Sequence, residues 1–330
     1  MKPHVVVTRA VFPSVLARLG EHFEVDYNDS GGVWDAAELA RRCHGKAGAF
    51  VTGGERIDAA LLDACPTLKA VCNMAVGYNN IDVEACTARG VLVTNTPDVL
   101  TETTADFGFA LMMAAARRMA ESEHFLRAGL WMQWSYDMFT GSDIHGATLG
   151  VLGMGRIGQA IARRGAAGFG MQVIYHNRSR LDPAIEGGLN ARYVDKATLL
   201  READHLLLVV PYSAASHHAV GAAELALMKP TATLTNIARG GVVDDAALAV
   251  ALRERRIAAA GLDVFEGEPR VHPDLLALTN VVLTPHIASA TVATRLAMAD
   301  LAADNLIAAL GCGPHAGQPP TPVNRISIGR

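Results

Sequence analysis

The chain has 330 residues, half of them hydrophobic and 19% charged, enough for about two domains with ample cores. A formal net charge of −4 gives no electrostatic case for a nucleic-acid or anionic-membrane partner. Cys43, Cys65, Cys72, Cys86 and Cys312 show neither a C-x-x-C pair nor metal-ligand spacing, so reduced structural thiols and no metal centre are expected.

The opening stretch "MKPHVVVTRAVFP" has too short an apolar run for a signal peptide, and Arg9 interrupts it. The segments "HVVVT", "FEVDY", "GAFVT", "LKAVCNM" and "VLVTN" read as strands, with helical patterns such as "WDAAELARRC" and "DAALLDAC" between them. That alternation predicts βα units and a parallel sheet. Next comes "ADFGFALMMAAARR", the length of a buried helix and short of a membrane span, so a cytoplasmic protein is expected.

A second series begins near residue 147: "ATLGVLG", "MQVIYHN", "HLLLVV", "ATLTNIA", "AAAGLDV" and "NVVLTP". Helical stretches at about 101–118 and 291–310 flank it. The economical reading is α/β, with one doubly wound parallel-sheet domain inserted in another. The tail "GPHAGQPPTPVNRISIGR", rich in Pro and Gly, is expected to be extended.

"TLGVLGMGRIGQAIA" is the strongest local signal. Gly153, Gly155 and Gly158 form G-x-G-x-x-G directly after a strand and open a helix. Glycines there permit a tight turn, close approach to a pyrophosphate, and close helix–strand packing. The helix N-terminus supplies N–H donors and positive potential. The following strand ends "VIYHNRSR", where an NAD site would place an acid to hold the ribose 2′-hydroxyl. No acid appears before Asp182; Asn177, Arg178, Ser179 and Arg180 stand there instead. A carboxylate repels a 2′-phosphate, whereas arginine pairs with it. NADPH preference is therefore expected, with Arg178 the main contact and NADH use possible.

Downstream, Arg239 in "NIARGG", Glu268 in "GLDVFEGEP" and His286 in "LTPHIASAT" each follow a strand. All three strand ends should open on the sheet edge that carries the glycine loop. Hydride transfer to a 2-oxo acid leaves charge on the former carbonyl oxygen, and histidine can donate and recover a proton near neutral pH. A carboxylate orients the imidazole and favours its charged form, while arginine binds a carboxylate in a bidentate fork. The set reads as a 2-oxo acid reductase.

Four motifs, "GMGRIGQAIARR", "NIARGGVVDDAAL", "AAGLDVFEGEP" and "LTPHIASAT", give the chain a specific resemblance to the D-isomer-specific 2-hydroxyacid dehydrogenase family over nearly its whole length. The resemblance implies Arg239, Glu268 and His286 as the catalytic set. It also implies Arg156 and Ile157 at the pyrophosphate, Asp263 at the nicotinamide carboxamide, and Pro211 with the Ile237–Ala238 backbone lining the cofactor cleft. "NMAVGYNNID" resembles the family's substrate loop, in which peptide groups at Val76 and Gly77 bind the substrate carboxylate; Asn79 stands where aspartate is common. The implied architecture is a Rossmann NAD(P)-binding domain at 99–289 inserted in a flavodoxin-like substrate domain at 1–98 plus 290–330. A homodimer through the nucleotide-binding domain is implied, with Trp131 and Trp134 near its interface and within possible reach of a neighbouring active site.

Within the family, "YHNRSR" and "LWMQWSYDMFTGSDIHGATLG" most resemble glyoxylate/hydroxypyruvate reductases, including 2-ketogluconate reductases. The alternatives are a dehydrogenase for a 2-hydroxy acid with a bulky apolar side chain and, from another class, a dinucleotide-sensing corepressor. The chain lacks a long disordered interaction arm, which disfavours the corepressor.

Overall fold

The computed structural model describes residues 1–326. The chain divides into two compact units, Met1–Leu100 with the segment from Thr291 onward, and Thr101–Ala290. Residues 327–330, the end of the tail expected to be extended, lie outside the described residues.

The first unit holds five strands, β1 (His4–Val7), β2 (Glu24–Tyr27), β3 (Gly48–Val51), β4 (Ala70–Asn73) and β5 (Leu92–Thr94). They form one parallel sheet in the order β2-β1-β3-β4-β5, the flavodoxin-like order. The central strands β3 and β4 are buried throughout, as expected for a sheet covered on both faces. One face packs on the helix Val292–Ala309, whose Ala299, Ala302, Ala303 and Leu306 meet Val5, Val7, Phe50 and Cys72. Small residues let that helix come close: a Cβ at Gly48 would lie 2.6 Å from Leu306 Cδ1. The tail is not merely extended. Pro322 bridges Thr94 antiparallel, and the buried Asn324 side chain accepts from the Val93 N–H at 2.7 Å, so the tail covers an edge strand.

The second unit holds seven strands, β6 (Thr148–Leu152), β7 (Gln172–His176), β8 (Ala191–Tyr193), β9 (His205–Leu208), β10 (Thr233–Asn236), β11 (Ala259–Leu262) and β12 (Val281–Leu283). Their order is β12-β11-β10-β9-β6-β7-β8, all parallel, which is the Rossmann pattern with one further strand at its edge. Six of the seven match strand segments read from sequence. The seventh, β8, is a three-residue edge strand with none of its residues fully buried, so it carries no apolar run to betray it. The helix Thr101–Ala116 is buried along most of its length against this sheet. It stops sooner than the expected 118: Arg118 takes φ 53° and a separate helix, Met119–Arg127, begins.

Among the described residues no helix is long and apolar enough to cross a membrane. All five cysteines are free; burial pushes the Cys43 and Cys72 thiols up to about 12, which suits packing and not reactivity.

Candidate active site

Register gathers the candidate residues of the second unit. The final residues of six strands pair in one row across the sheet: His176 with Leu152, Leu152 with Leu208, Leu208 with Asn236, Asn236 with Leu262, and Leu262 with Leu283. Everything that follows this row lies at the C-terminal edge, where open α/β sheets bind ligands. The glycine loop follows β6, Asn177–Ser179 follow β7, Pro211 follows β9, Ile237–Arg239 follow β10, Asp263 follows β11 and His286 follows β12. The order reverses between β6 and β9, which makes that point the topological switch.

The glycine loop has the geometry its spacing predicts. Gly153 has φ 102°, and a Cβ there would lie 2.8 Å from the Val209 carbonyl carbon. A Cβ at Gly158 would lie 2.3 Å from the Gly153 oxygen, so helix and turn pack at backbone distance. Gly155, by contrast, faces open space and caps the helix Arg156–Phe169. That is the opening a dinucleotide phosphate requires. Arg156 is exposed at the first helical position, while Ile157 is partly buried against the core below.

Asn177 ties this loop to the end of β7, its Oδ1 accepting from the Met154 N–H at 2.7 Å. Arg178 and Ser179 are exposed, with no hydrogen bond or ion pair among the described residues. Arg180 differs: it is paired with Glu186, Nη2 to Oε2 at 2.7 Å.

Arg239, Glu268 and His286 come together within the second unit. His286 Nδ1 lies 2.8 Å from Glu268 Oε2, and the other carboxylate oxygen accepts from the Phe265 N–H at 2.9 Å. Burial would raise the Glu268 carboxyl. The hydrogen bond and charge of His286, the Phe265 N–H and the charge of Arg239 outweigh it and hold the group below the usual carboxylate range. Arg239 is partly buried beside that charge; burial pulls its guanidinium below the ordinary arginine value, and Glu268 opposes the shift. The two loops meet at backbone distance, since a Cβ at Gly240 would lie 1.7 Å from the Phe265 oxygen. His286 has φ 54°, an uncommon backbone conformation for a non-glycine residue, at a position held by its N–H donating to the Asp263 oxygen at 2.9 Å.

Asp263 is fully buried. Its carboxylate accepts from the Ile287 N–H at 2.8 Å, the Ala288 N–H at 2.9 Å and the Thr284 hydroxyl at 2.7 Å. The contacts made by this side chain therefore hold the histidine loop, beside the nicotinamide contact that family resemblance implies. Pro211 is exposed, and its carbonyl accepts from the Ser216 hydroxyl. The Ile237 and Ala238 side chains are buried in the core, which leaves only their backbone for a ligand.

In the first unit, Val76 and Gly77 follow β4. Their carbonyls accept from the side-chain amides of Asn95 and Asn73 at 2.8 and 2.9 Å, while their N–H groups have no acceptor among the described residues. Asn79 is exposed.

Three supporting asparagines were not read from the sequence: Asn73, Asn95 and Asn236, the last donating to the Arg239 carbonyl and accepting from the Ala238 N–H. Each stands at or just beyond a strand end, and asparagine's tendency to bond nearby backbone was the available signal.

A sequence model of the NAD binding domain of the D-isomer specific 2-hydroxyacid dehydrogenases matches residues 109–288. A glyoxylate reductase of Thermococcus onnurineus is 49% identical over 335 residues, covering 98% of this chain and 97% of the relative. One from Aeropyrum pernix is 48% identical over 319 residues, covering 93% of this chain and 92% of that protein. The crystal structure of an NADPH-dependent glyoxylate/hydroxypyruvate reductase of Sinorhizobium meliloti, in complex with NADP and malonate, aligns with TM-score 0.86 at 39% identity, covering 99% of this chain and all 100% of the other. With both sheets in the expected order and similarity spanning almost its full length, the chain belongs to the D-isomer specific 2-hydroxyacid dehydrogenase family.

Proposed function

We propose that the protein is an NADPH-preferring reductase that converts small 2-oxo acids, glyoxylate and hydroxypyruvate above all and 2-ketogluconate as a further candidate, into D-2-hydroxy acids. The observation that carries the reading is the His286–Glu268 pair with Arg239 beside it, on the same sheet edge as the glycine loop. The substrate class follows from the relatives, which are glyoxylate and glyoxylate/hydroxypyruvate reductases.

The residues present fit a dinucleotide with a 2′-phosphate. Gly155 is open, the helix behind it offers its N-terminus, and the Arg178 guanidinium is free to pair. Bound NADPH would supply the hydride. His286 is assigned the proton donor to the carbonyl oxygen. Its Nδ1 is engaged by Glu268, which leaves Nε2 for the substrate. Glu268 orients the ring and stabilises its charged form. Arg239 is assigned to the substrate carboxylate, and its charge also favours the oxygen as negative charge grows there. The free N–H groups of Val76 and Gly77 are proposed as further donors to a carboxylate.

We assign Thr101–Ala290 the cofactor and the other unit the substrate loop, and we infer a homodimer in a cytoplasmic setting. The dimer reading is supported by the segment 119–136. The helix Met119–Arg127 buries none of its residues, and Leu126, Leu130, Trp131, Met132, Trp134 and Tyr136 are all exposed.

The deciding experiment is steady-state kinetics on glyoxylate, hydroxypyruvate, 2-ketogluconate and a series of bulky apolar 2-oxo acids, each with NADPH and NADH. Highest kcat/KM for a small polar 2-oxo acid with NADPH is expected. Preference for the bulky apolar acids, or for NADH, would overturn the corresponding part of the reading.

A further inference from the structure

The loop after β7 carries two arginines, and the structure treats them differently. Arg178 is unpaired among the described residues, whereas Arg180 lies across Glu186 with Nε at 2.9 and 3.1 Å from the two carboxylate oxygens and Nη2 at 2.7 Å from Oε2. The Glu186 side chain is only 8% exposed and that of Arg180 is 63% exposed, so the guanidinium forms a lid over the carboxylate. From beneath, the buried Tyr175 hydroxyl donates to Glu186 Oε1 at 2.7 Å and accepts from the Leu181 N–H at 2.8 Å. The bonds from Arg180 and then Tyr175 hold the Glu186 carboxyl below its ordinary value, against burial. It is therefore ionised at neutral pH.

The consequence concerns cofactor choice. NAD-selective sites of this fold use an acid near the end of the second strand, because a carboxylate accepts from the ribose 2′-hydroxyl and repels a 2′-phosphate. The sequence carries no acid at that position. The structure brings one to the same loop from the helix Pro183–Leu189, a few residues further along. Among the described residues its one cationic partner is Arg180; Tyr175 supplies a neutral donor.

We propose that Glu186 is a masked carboxylate and that Arg180 is a positioning residue, which sets NADPH selectivity by covering Glu186 instead of binding the 2′-phosphate itself. The inference rests on the assignment of Arg178 as the phosphate contact. Asn177 is anchored to the glycine loop and Leu181 to Tyr175, so the intervening Arg178 and Ser179 are presented on a stretch fixed at both ends.

The test compares Arg178→Ala, Arg180→Ala, Glu186→Gln and the Arg180→Ala/Glu186→Gln double variant, with KM and kcat for NADPH and NADH and the melting temperature of each. Arg178→Ala should raise KM for NADPH alone; if it does not, the phosphate assignment fails and the inference falls with it. Arg180→Ala should raise KM for NADPH about tenfold, the order expected from one exposed negative charge near a phosphate, with kcat and KM for NADH little changed. Adding Glu186→Gln should restore most of that loss. A double variant as impaired as Arg180→Ala would make Arg180 a phosphate ligand and overturn the proposal. Equal losses with both cofactors, or none, would overturn it as well. A purely structural loop would not give the rescue.

Discussion

His286 and Glu268, separated by eighteen residues, meet at 2.8 Å with the imidazole Nδ1 against a carboxylate oxygen. The pair constrains what the ring can do. With Nδ1 occupied, Nε2 remains to exchange a proton with a ligand, and the carboxylate stabilises the ring when it is charged. His286→Ala is expected to lower kcat for 2-oxo acid reduction by about a hundredfold or more, the usual contribution of a positioned general acid, while NADPH affinity measured by fluorescence titration stays nearly intact. Glu268→Gln keeps the hydrogen bond and removes the charge. Glu268 is held below its ordinary range and so is ionised across neutral pH. Its loss should therefore lower kcat for 2-oxo acid reduction while NADPH affinity stays nearly intact. An unchanged kcat would separate the carboxylate from the proton transfer.

The interior strands of both sheets were legible in the sequence because parallel strands buried on both faces leave short apolar runs, such as "HLLL" at β9 and "GAFV" at β3. The glycine loop was legible for a different reason: Gly153 and Gly158 sit where a side chain would collide with backbone, so the residue type reports the geometry. What escaped has physical causes too. β8 is an edge strand of three residues, and the two that meet the core, Ala191 and Tyr193, are only partly buried and too few to make an apolar run. The Glu186 carboxylate comes from a helix, and nothing in its spacing from Arg180 shows that a buried tyrosine hydroxyl will hold it there. The contacts of Asp263 with the 284–288 loop depend on β11 and β12 being neighbours, a fact of topology and not of local pattern.

Gly240 offers a test of how the two catalytic loops are held together. Its Cα stands against the backbone of Phe265, three residues before Glu268, with a Cβ clash at 1.7 Å from a carbonyl oxygen that cannot swing away as a side chain would. Gly240→Ala must part the loop of Arg239 from the loop of Glu268. The cost of overpacking of this kind is about 1–3 kcal/mol, so a lowered melting temperature is expected. A larger fractional loss in kcat than in stability should accompany it, because Arg239 and Glu268 are displaced relative to each other. Full activity with an unchanged melting temperature would show the contact to be soft.

His205 should give the fold a pH-dependent component away from the active site. It is fully buried at the start of β9, with Nε2 donating to the Asp143 carbonyl at 3.0 Å and Nδ1 accepting from the Thr233 hydroxyl at 2.8 Å. That arrangement satisfies the neutral ring. Burial lowers the pKa, and the Asp143 carbonyl and the Asp204 charge only partly oppose it. The folded chain then binds fewer protons at this site than the unfolded chain does below the ordinary histidine value near 6.5. The contribution to stability is therefore complete above that value and is lost as pH falls beneath it. Urea unfolding of the wild type and of His205→Gln from pH 5 to 8 should show the difference between them growing as pH rises through 6. A difference independent of pH would mean that the ring does not titrate on unfolding.

The exposed aromatic segment makes the assembly testable in the same way. Trp131 is 54% exposed and Trp134 75% exposed, beside the exposed Met132 and Tyr136. Isolated apolar side chains on a surface need no explanation, but a run of this size does. Large aromatic residues at a subunit interface commonly account for about 2 kcal/mol each on truncation, or a roughly thirtyfold weaker dimer. Sedimentation velocity over a wide concentration range should show a dimer for the wild type. Trp134→Ser should shift its dissociation into the accessible range while changing the melting temperature of the dissociated chain little, since three quarters of this residue is exposed in its own unit. If the same substitution also raises KM for the 2-oxo acid in the assembled enzyme, the indole contributes to a neighbouring active site; if only association changes, its role is packing. A wild-type chain that sediments as a monomer at every concentration would remove the dimer altogether and leave the segment free for another partner.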